Sequence, residues 1–238
     1  MELSMNENLE TKKCVVAFID LLGTSEAIKN DENDTNLNTM NYILQSAIDM
    51  CADNHLTKAT VQVKAFSDNI VFAMEIPNDS DNMEHMSRVH NILEICAYFQ
   101  IAAFKMGIST RGGITIGDFF CNEIFVWGKG LLRAYTLESK IAIFPRIVID
   151  ANVIPLVPDC DNGGKKHHIK TDVDGVVFLD YLSFFCSNTR NEYIKRTLND
   201  AKRIVTLLNK DERAIQKIRW IISYLENGLI PSTIDEVE

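Results

Sequence analysis

The sequence predicts an α+β fold, an antiparallel sheet covered by helices, with a helical hairpin at its C-terminal end. Three observations carry that prediction. A short run rich in β-branched residues, Val15-Val16-Ala17-Phe18-Ile19, forms the first apolar segment. Two further strand-like runs, 59–66 and 70–76, are joined only by Ser67-Asp68-Asn69, which is turn chemistry. Long stretches of helical spacing flank this hairpin and return at the end of the chain.

Taken in order, Val15–Ile19 is continuous and apolar, as suits a strand buried on both faces, and it ends at Asp20. Gly23-Thr24-Ser25 then make a turn, with Thr24 or Ser25 placed to cap a short helix reaching Lys29. Leu37, Met40, Ile43, Leu44, Ala47, Ile48 and Cys51 recur at helical spacing over 36–54. After the hairpin, 81–106 reads as a long helix with Met83, Met86, Val89, Ile92, Leu93 and Cys96 on one face and Gly107 as its stop. Residues 108–116 alternate around Arg111-Gly112-Gly113 as another strand. The order strand, helix, hairpin, helix, strand is that of split βαβ, ferredoxin-like folds. Beyond it the pattern predicts a helix over 127–144 and strands at 146–149 and 175–181. A polar loop at 159–166 and a helical hairpin over 188–227, broken near Lys210-Asp211-Glu212, complete the chain. Nothing resembles a linker or a repeat. The expectation is a single domain over 1–238, with a core at about 13–185 and a helical appendage at about 188–228.

Composition narrows the function. With 238 residues and 46% hydrophobic side chains, the chain has material for one large core. Its net charge of -9, from 24 basic and 33 acidic side chains, speaks against nucleic-acid or acidic-membrane binding. A small polyanion remains possible where metal ions supply positive charge. The six cysteines form no CxxC pair and read as buried, reduced thiols, not as a zinc site or disulfide frame. Met1–Lys13 is too polar for a signal peptide. Ile92–Ile108 contains Glu94, Gln100 and Lys105 and falls short of the roughly 20 apolar residues of a membrane span. The expected location is cytoplasmic, with no membrane and no nucleic-acid partner.

Asp20 and Asp68 are the candidate chemical centre. In a split βαβ sheet the first strand lies beside the hairpin strands, so the two carboxylates converge at one end of the sheet. Close carboxylates repel unless a cation lies between them. Hard oxygen donors suit Mg²⁺ or Mn²⁺, and a pair of such ions clamps the attacking and leaving oxygens of an in-line displacement. Gly23, Thr24 and Ser25 present backbone N–H groups at a turn or helix start, which suits phosphate. Taken singly, either aspartate is equally a turn residue. His167-His168 has no third ligand at metal spacing and reads as a solvated loop.

Ala17-Phe18-Ile19-Asp20-Leu21-Leu22-Gly23-Thr24 resembles the first metal motif of class III nucleotidyl cyclases, and Lys64-Ala65-Phe66-Ser67-Asp68 resembles the second, with Ser67 in place of Gly. Arg111-Gly112-Gly113-Ile114 and Trp127-Gly128 through Ala134 echo later blocks, so the resemblance covers about 15–149. It implies that Asp20, Asp68 and the Leu21 carbonyl bind two Mn²⁺ or Mg²⁺ ions. The nucleoside triphosphate is held at Phe18, Gly23, Thr24, Ser25, Lys64, Phe66 and Phe125. The implied reaction is attack of the ribose 3′-hydroxyl on the α-phosphate, giving a 3′,5′-cyclic nucleotide and pyrophosphate. A homodimer with sites at the subunit interface is implied as well.

The departures are informative. Phe125 stands where adenylate cyclases read the base with Asp, and Leu132 and Thr136 stand at the transition-state Asn and Arg. Lys129, Arg133, Thr136 and Lys140 share a helical face, which nominates Arg133 as a relocated phosphate-stabilising cation. Lys165, Lys166 and Lys170 are further candidates for phosphate contact. The Phe-Ile-Asp-Leu-Leu-Gly start, the Phe-Ser-Asp hairpin and Ala134-Tyr135-x-Leu137-Glu138 most resemble the pyrimidine cyclases of bacterial Pycsar anti-phage systems. Those make cyclic UMP or cyclic CMP as messengers for a downstream effector. Two alternatives stand beside this one: a non-catalytic nucleotide sensor on the same fold, and a purine cyclase. A polymerase-palm relative is disfavoured, because Phe66-Ser67-Asp68-Asn69 replaces the Gly-Gly-Asp/Glu-Glu-Phe hairpin.

Overall fold

The run Val15–Ile19 has no polar residue because its strand lies in the middle of the sheet. In the computed structural model, which describes residues 9–29, 31–53, 61–78, 81–159, 166–207 and 212–229, that strand is β1 (Lys12–Leu22). It pairs antiparallel with β3 (Asn69–Glu75) on one side and β4 (Ser109–Cys121) on the other. β2 (Val61–Phe66) pairs antiparallel with β3 through the two-residue turn Ser67-Asp68. Helices α1 (Thr24–Lys29) and α2 (Thr35–Asp53) follow β1, and α3 (Asn82–Lys105) joins β3 to β4. The order β2-β3-β1-β4 is the split βαβ arrangement, and the fold is α+β. The expected strand start at 59–60 lies outside the described residues.

Alternation along β1 sorts the molecule into layers. Val15, Ala17, Ile19 and Leu21 face the core shared with α3, where Val89, Ile92, Leu93, Cys96 and Phe99 are buried. Cys14, Val16 and Phe18 face the other way, onto α4 (Lys129–Thr136), and Asp20 continues that face. α3 starts with Asp81 accepting from the Glu84 N–H at 2.8 Å. It stops at Gly107, where the Gly107 and Ile108 N–H groups close on the carbonyls of Phe104 and Ala103. Among the described residues, no helix is long and apolar enough to cross a membrane.

Three expectations are corrected. β1 does not end at Asp20 but runs to Leu22, with Asp20 paired to Asn69 and Arg111. The helix expected over 127–144 is three pieces: β5 (Val126–Trp127), α4, and a single π turn over Leu137–Ile141. The reason for the late start is Gly128, at φ +140°, where a Cβ would lie 2.1 Å from the Asp118 carbonyl oxygen. The chain hugs β4 there before it coils. Cys186 is exposed at the start of α5 (Ser187–Leu207), unlike the buried Cys14 and Cys96.

The sheet continues past β4 to β6 (Ile147–Ile149), β8 (Val177–Leu179) and β7 (Ile169–Thr171). β6 runs parallel to β4, and β7 was not anticipated because three residues centred on Lys170 carry no readable pattern. α5 and α6 (Glu212–Glu226) form the C-terminal hairpin. α6 docks through polar anchors: Trp220 Nε1 donates to Asp172 at 2.7 Å, and the Tyr224 hydroxyl donates to Asp180 at 2.5 Å. Asp172 also pairs with Arg146, whose side chain is fully buried and pairs with Asp174 as well.

Candidate active site

Asp20 and Asp68 come together as β-sheet geometry requires. Asp20 is opposite Asn69 in the β1–β3 ladder, and Asp68 is the residue before Asn69. The Leu21 N–H donates to the Asp68 carbonyl at 2.9 Å, which fixes the hairpin turn against β1. Thr24 is 5% exposed, and its hydroxyl stands 2.9 Å from Asp68 Oδ2 and 3.2 Å from the Leu21 carbonyl oxygen. Gly23, at φ +88°, turns the chain out of β1 so that Thr24 folds back over the carboxylates. Ser67, the first turn residue, has φ +54°, the left-handed conformation that favours Gly. Ser25 lies in the first turn of α1.

Two residues that the sequence places in motifs but not in the site complete the cluster. Arg111, directly across from Asp20 on β4, places Nε 3.0 Å from Asp20 Oδ2 and 2.6 Å from Glu138 Oε1. Glu138 belongs to the π turn, whose Ala142 N–H reaches back to the Leu137 carbonyl at 2.8 Å. Gly113, two residues beyond Arg111 on the same face, is the reason that turn comes so close. A Cβ there would lie 2.4 Å from Leu137 Cβ and 2.5 Å from the Ala134 carbonyl. Glu138 is 3% exposed, and burial pushes its carboxyl above the usual range, with the Asp20 and Asp68 charges adding to the effect against Arg111. Single π turns are frequent at functional sites.

An aromatic group lies beside the carboxylates. Phe18 is the buried floor, and Phe66 and Tyr135 stand over it, both 49% exposed, at ring distances of 6.5 and 5.5 Å. Lys64, on the same face of β2, donates to the Glu123 carbonyl at 2.6 Å in the loop between β4 and β5. Phe125 packs on Phe120 at 5.4 Å and borders a cleft with Leu9, Thr11 and Trp127. The chain thus gathers Phe18, Asp20, Leu21, Thr24, Phe66 and Asp68 but holds Phe125 elsewhere.

Arg133 is also elsewhere. Its guanidinium is bidentate on Asp150, at 2.8 Å from Nε and 2.6 Å from Nη2. Thr115 shares that carboxylate at 2.7 Å. Thr115 pairs with Val16, four residues along β1 from Asp20, or roughly 13 Å at strand rise. The hydrogen bond from Arg133 holds the Asp150 carboxyl below the usual range. At the other two substituted positions, Leu132 is exposed and the Thr136 hydroxyl bonds the Leu132 carbonyl at 2.7 Å. Lys166 pairs with Asp159 and Lys170 with Asp180, while Lys165 lies outside the described residues.

No family model matches the chain, and no curated protein matches it. Solved structures do. The chain is similar to the monomeric guanylyl cyclase domain of the RhoGC fusion protein from the aquatic fungus Blastocladiella emersonii, with TM-score 0.51 and 14% identity over 72% of this chain and 96% of that one. A non-canonical dimeric guanylyl cyclase domain of the same fusion protein gives TM-score 0.50 and 14% identity, over 71% of this chain and 93% of that one. At this identity the likeness shows the fold, which is that of class III nucleotidyl cyclase domains.

Proposed function

We propose that the chain is a nucleotidyl cyclase acting on a pyrimidine nucleoside triphosphate, UTP or CTP. One observation carries the cyclase reading: Asp20 and Asp68 lie side by side on a sheet of cyclase topology, with Arg111 held against Asp20. Among the described residues, no cluster of three or more His, Cys, Asp or Glu side chains has metal-binding geometry. Two carboxylates with the Leu21 carbonyl are nonetheless a hard oxygen set of the kind Mg²⁺ or Mn²⁺ completes with phosphate oxygens and water. Bound there, such ions would supply charge for the α-phosphate and its leaving group.

The remaining work falls to the chain itself. Arg111, with its side chain 29% exposed, is a cation already held against Asp20 and meets an incoming phosphate without leaving β4. Phe18, Phe66 and Tyr135 offer stacking surface for a base or ribose. Cyclisation forms a 3′-oxygen–phosphorus bond and breaks the bond to the β-phosphate. Pyrophosphate leaves and the hydroxyl proton passes to solvent. The pyrimidine assignment rests on motif similarity, supported by Phe125 having no base-reading polar group. We extend it to a messenger role in anti-phage defence and to a homodimer.

Incubation with each of the four common ribonucleoside triphosphates and Mn²⁺, with products identified by mass, tests the proposal. Cyclic UMP or cyclic CMP with pyrophosphate is expected, and Asp68→Ala should lower turnover at least about 100-fold. Product from ATP or GTP alone refutes the pyrimidine assignment. The uncharged Leu132 and Thr136, with Arg133 committed to Asp150, favour one other reading, a nucleotide sensor. Metal-dependent binding without product would establish it.

A further inference from the structure

Arg111 has one Nε hydrogen and two carboxylates within reach of it. The hydrogen is directed at Asp20 Oδ2, 3.0 Å away. Glu138 Oε1 lies closer, at 2.6 Å, yet receives no hydrogen bond and has no solvent contact. Its side chain is 4% exposed, against 15% for Asp20. A buried carboxyl oxygen facing a guanidinium without a hydrogen on it is an unmet demand that a small rotation of the guanidinium would satisfy. The same rotation would release Asp20.

Resting on the cyclase reading above, we propose that Arg111 is an internal counter-ion of the metal site and that Glu138 is the positioning residue that takes it over. Without a divalent ion, Arg111 neutralises Asp20 and limits the repulsion among three neighbouring carboxylates. When an ion engages Asp20, the guanidinium turns its hydrogen bond from Asp20 to Glu138. Arg111 then stays within the site, beside the phosphates and off the metal ligand. The device depends on Gly113, whose missing side chain lets the π turn carry Glu138 down to Arg111. Two opposing effects follow for ion binding. Arg111 weakens it by competing for Asp20, and Glu138 strengthens it by removing that competitor.

The test is Mn²⁺ affinity of the full chain without nucleotide, read from the electron paramagnetic resonance of free Mn²⁺, in a double-mutant cycle. Arg111→Gln should bind Mn²⁺ about tenfold tighter and Glu138→Gln about tenfold weaker, the scale of one charge-assisted hydrogen bond. In the Arg111→Gln background, Glu138→Gln should change affinity by no more than about threefold, because the residue it acts through is gone. Equal weakening in both backgrounds would make Glu138 a direct ligand or a bare charge and overturn the proposal. So would unchanged affinity in Arg111→Gln, a measurement that stands even if Glu138→Gln fails to fold. Mn²⁺ binding undetectable in every variant would overturn it too. The cyclase reading fails separately: coupled Mn²⁺ binding without cyclic product refutes catalysis alone, and product without coupling refutes only this device.

Discussion

At the scale of single residues, the contacts of Arg133 and Arg146 separate two kinds of ion pair. Arg146 is fully enclosed and shared by Asp172 and Asp174, so its removal strands carboxylates. Arg146→Ala should lower unfolding free energy by about 3–5 kcal/mol in urea titration, the usual cost of breaking a buried pair. The Arg133 side chain is 46% exposed, and its pairing matters more as a pH signal. Hydrogen bonding from Arg133 holds the Asp150 carboxyl below its unfolded value of about 3.9. The pair's contribution is therefore complete above that pH and is lost as pH falls through the folded pKa. The difference in unfolding free energy between the wild type and Asp150→Asn should stay constant from pH 5 to 7 and shrink below about pH 4. A difference that grows on acidification would contradict this assignment. Asp20 and Asp68 were legible as a pair because strand order alone brings them together. Glu138 was not, since a lone acid in a helical pattern looks like a solvated one, and only the approach permitted by Gly113 buries it.

At the scale of elements, what the sequence shows depends on how local the cause is. Val15–Ile19, the Ser67-Asp68 turn and the stop at Gly107 follow from apolar runs and turn chemistry, and each could be read directly. The break-up of 127–144 could not. It is imposed by Gly128 against Asp118 and by the π turn over Gly113, contacts between segments distant in the chain. α6 shows the same contrast. Its helical pattern was legible over 188–227, but its polar anchors depend on Asp172, just past β7, and on Asp180, which carry no sequence signal. Tyr224→Phe keeps the ring, stacked on Trp220 at 5.5 Å, and removes the hydroxyl that joins Asp180 to the Leu182 N–H. A loss of about 1–3 kcal/mol is expected in urea titration. A neutral result would mean that the Tyr224 hydroxyl does not help to hold α6.

At the scale of the whole molecule, five of the exposed apolar side chains come from two segments. Ile124, Phe125 and Trp127 from the β4–β5 hairpin and Leu132 and Tyr135 from α4 are all exposed, and Trp127 and Leu132 are 69% and 66% so. Both elements lie on the sheet face that carries Asp20, Phe18 and Phe66. Apolar side chains gathered on one face would suit an interaction surface, and a second copy presenting the same face would bury them symmetrically. Each apolar side chain so covered is worth about 1.5–3 kcal/mol. Leu132→Glu should therefore weaken self-association at least about tenfold in sedimentation experiments. If the dimer completes the site, specific activity of the wild type should rise with protein concentration. In Leu132→Glu that rise should move to higher concentration by the same factor. A wild type that sediments as a monomer with constant specific activity would place the whole site within one chain. The Phe18, Phe66 and Tyr135 surface would then have to hold the nucleotide without Phe125.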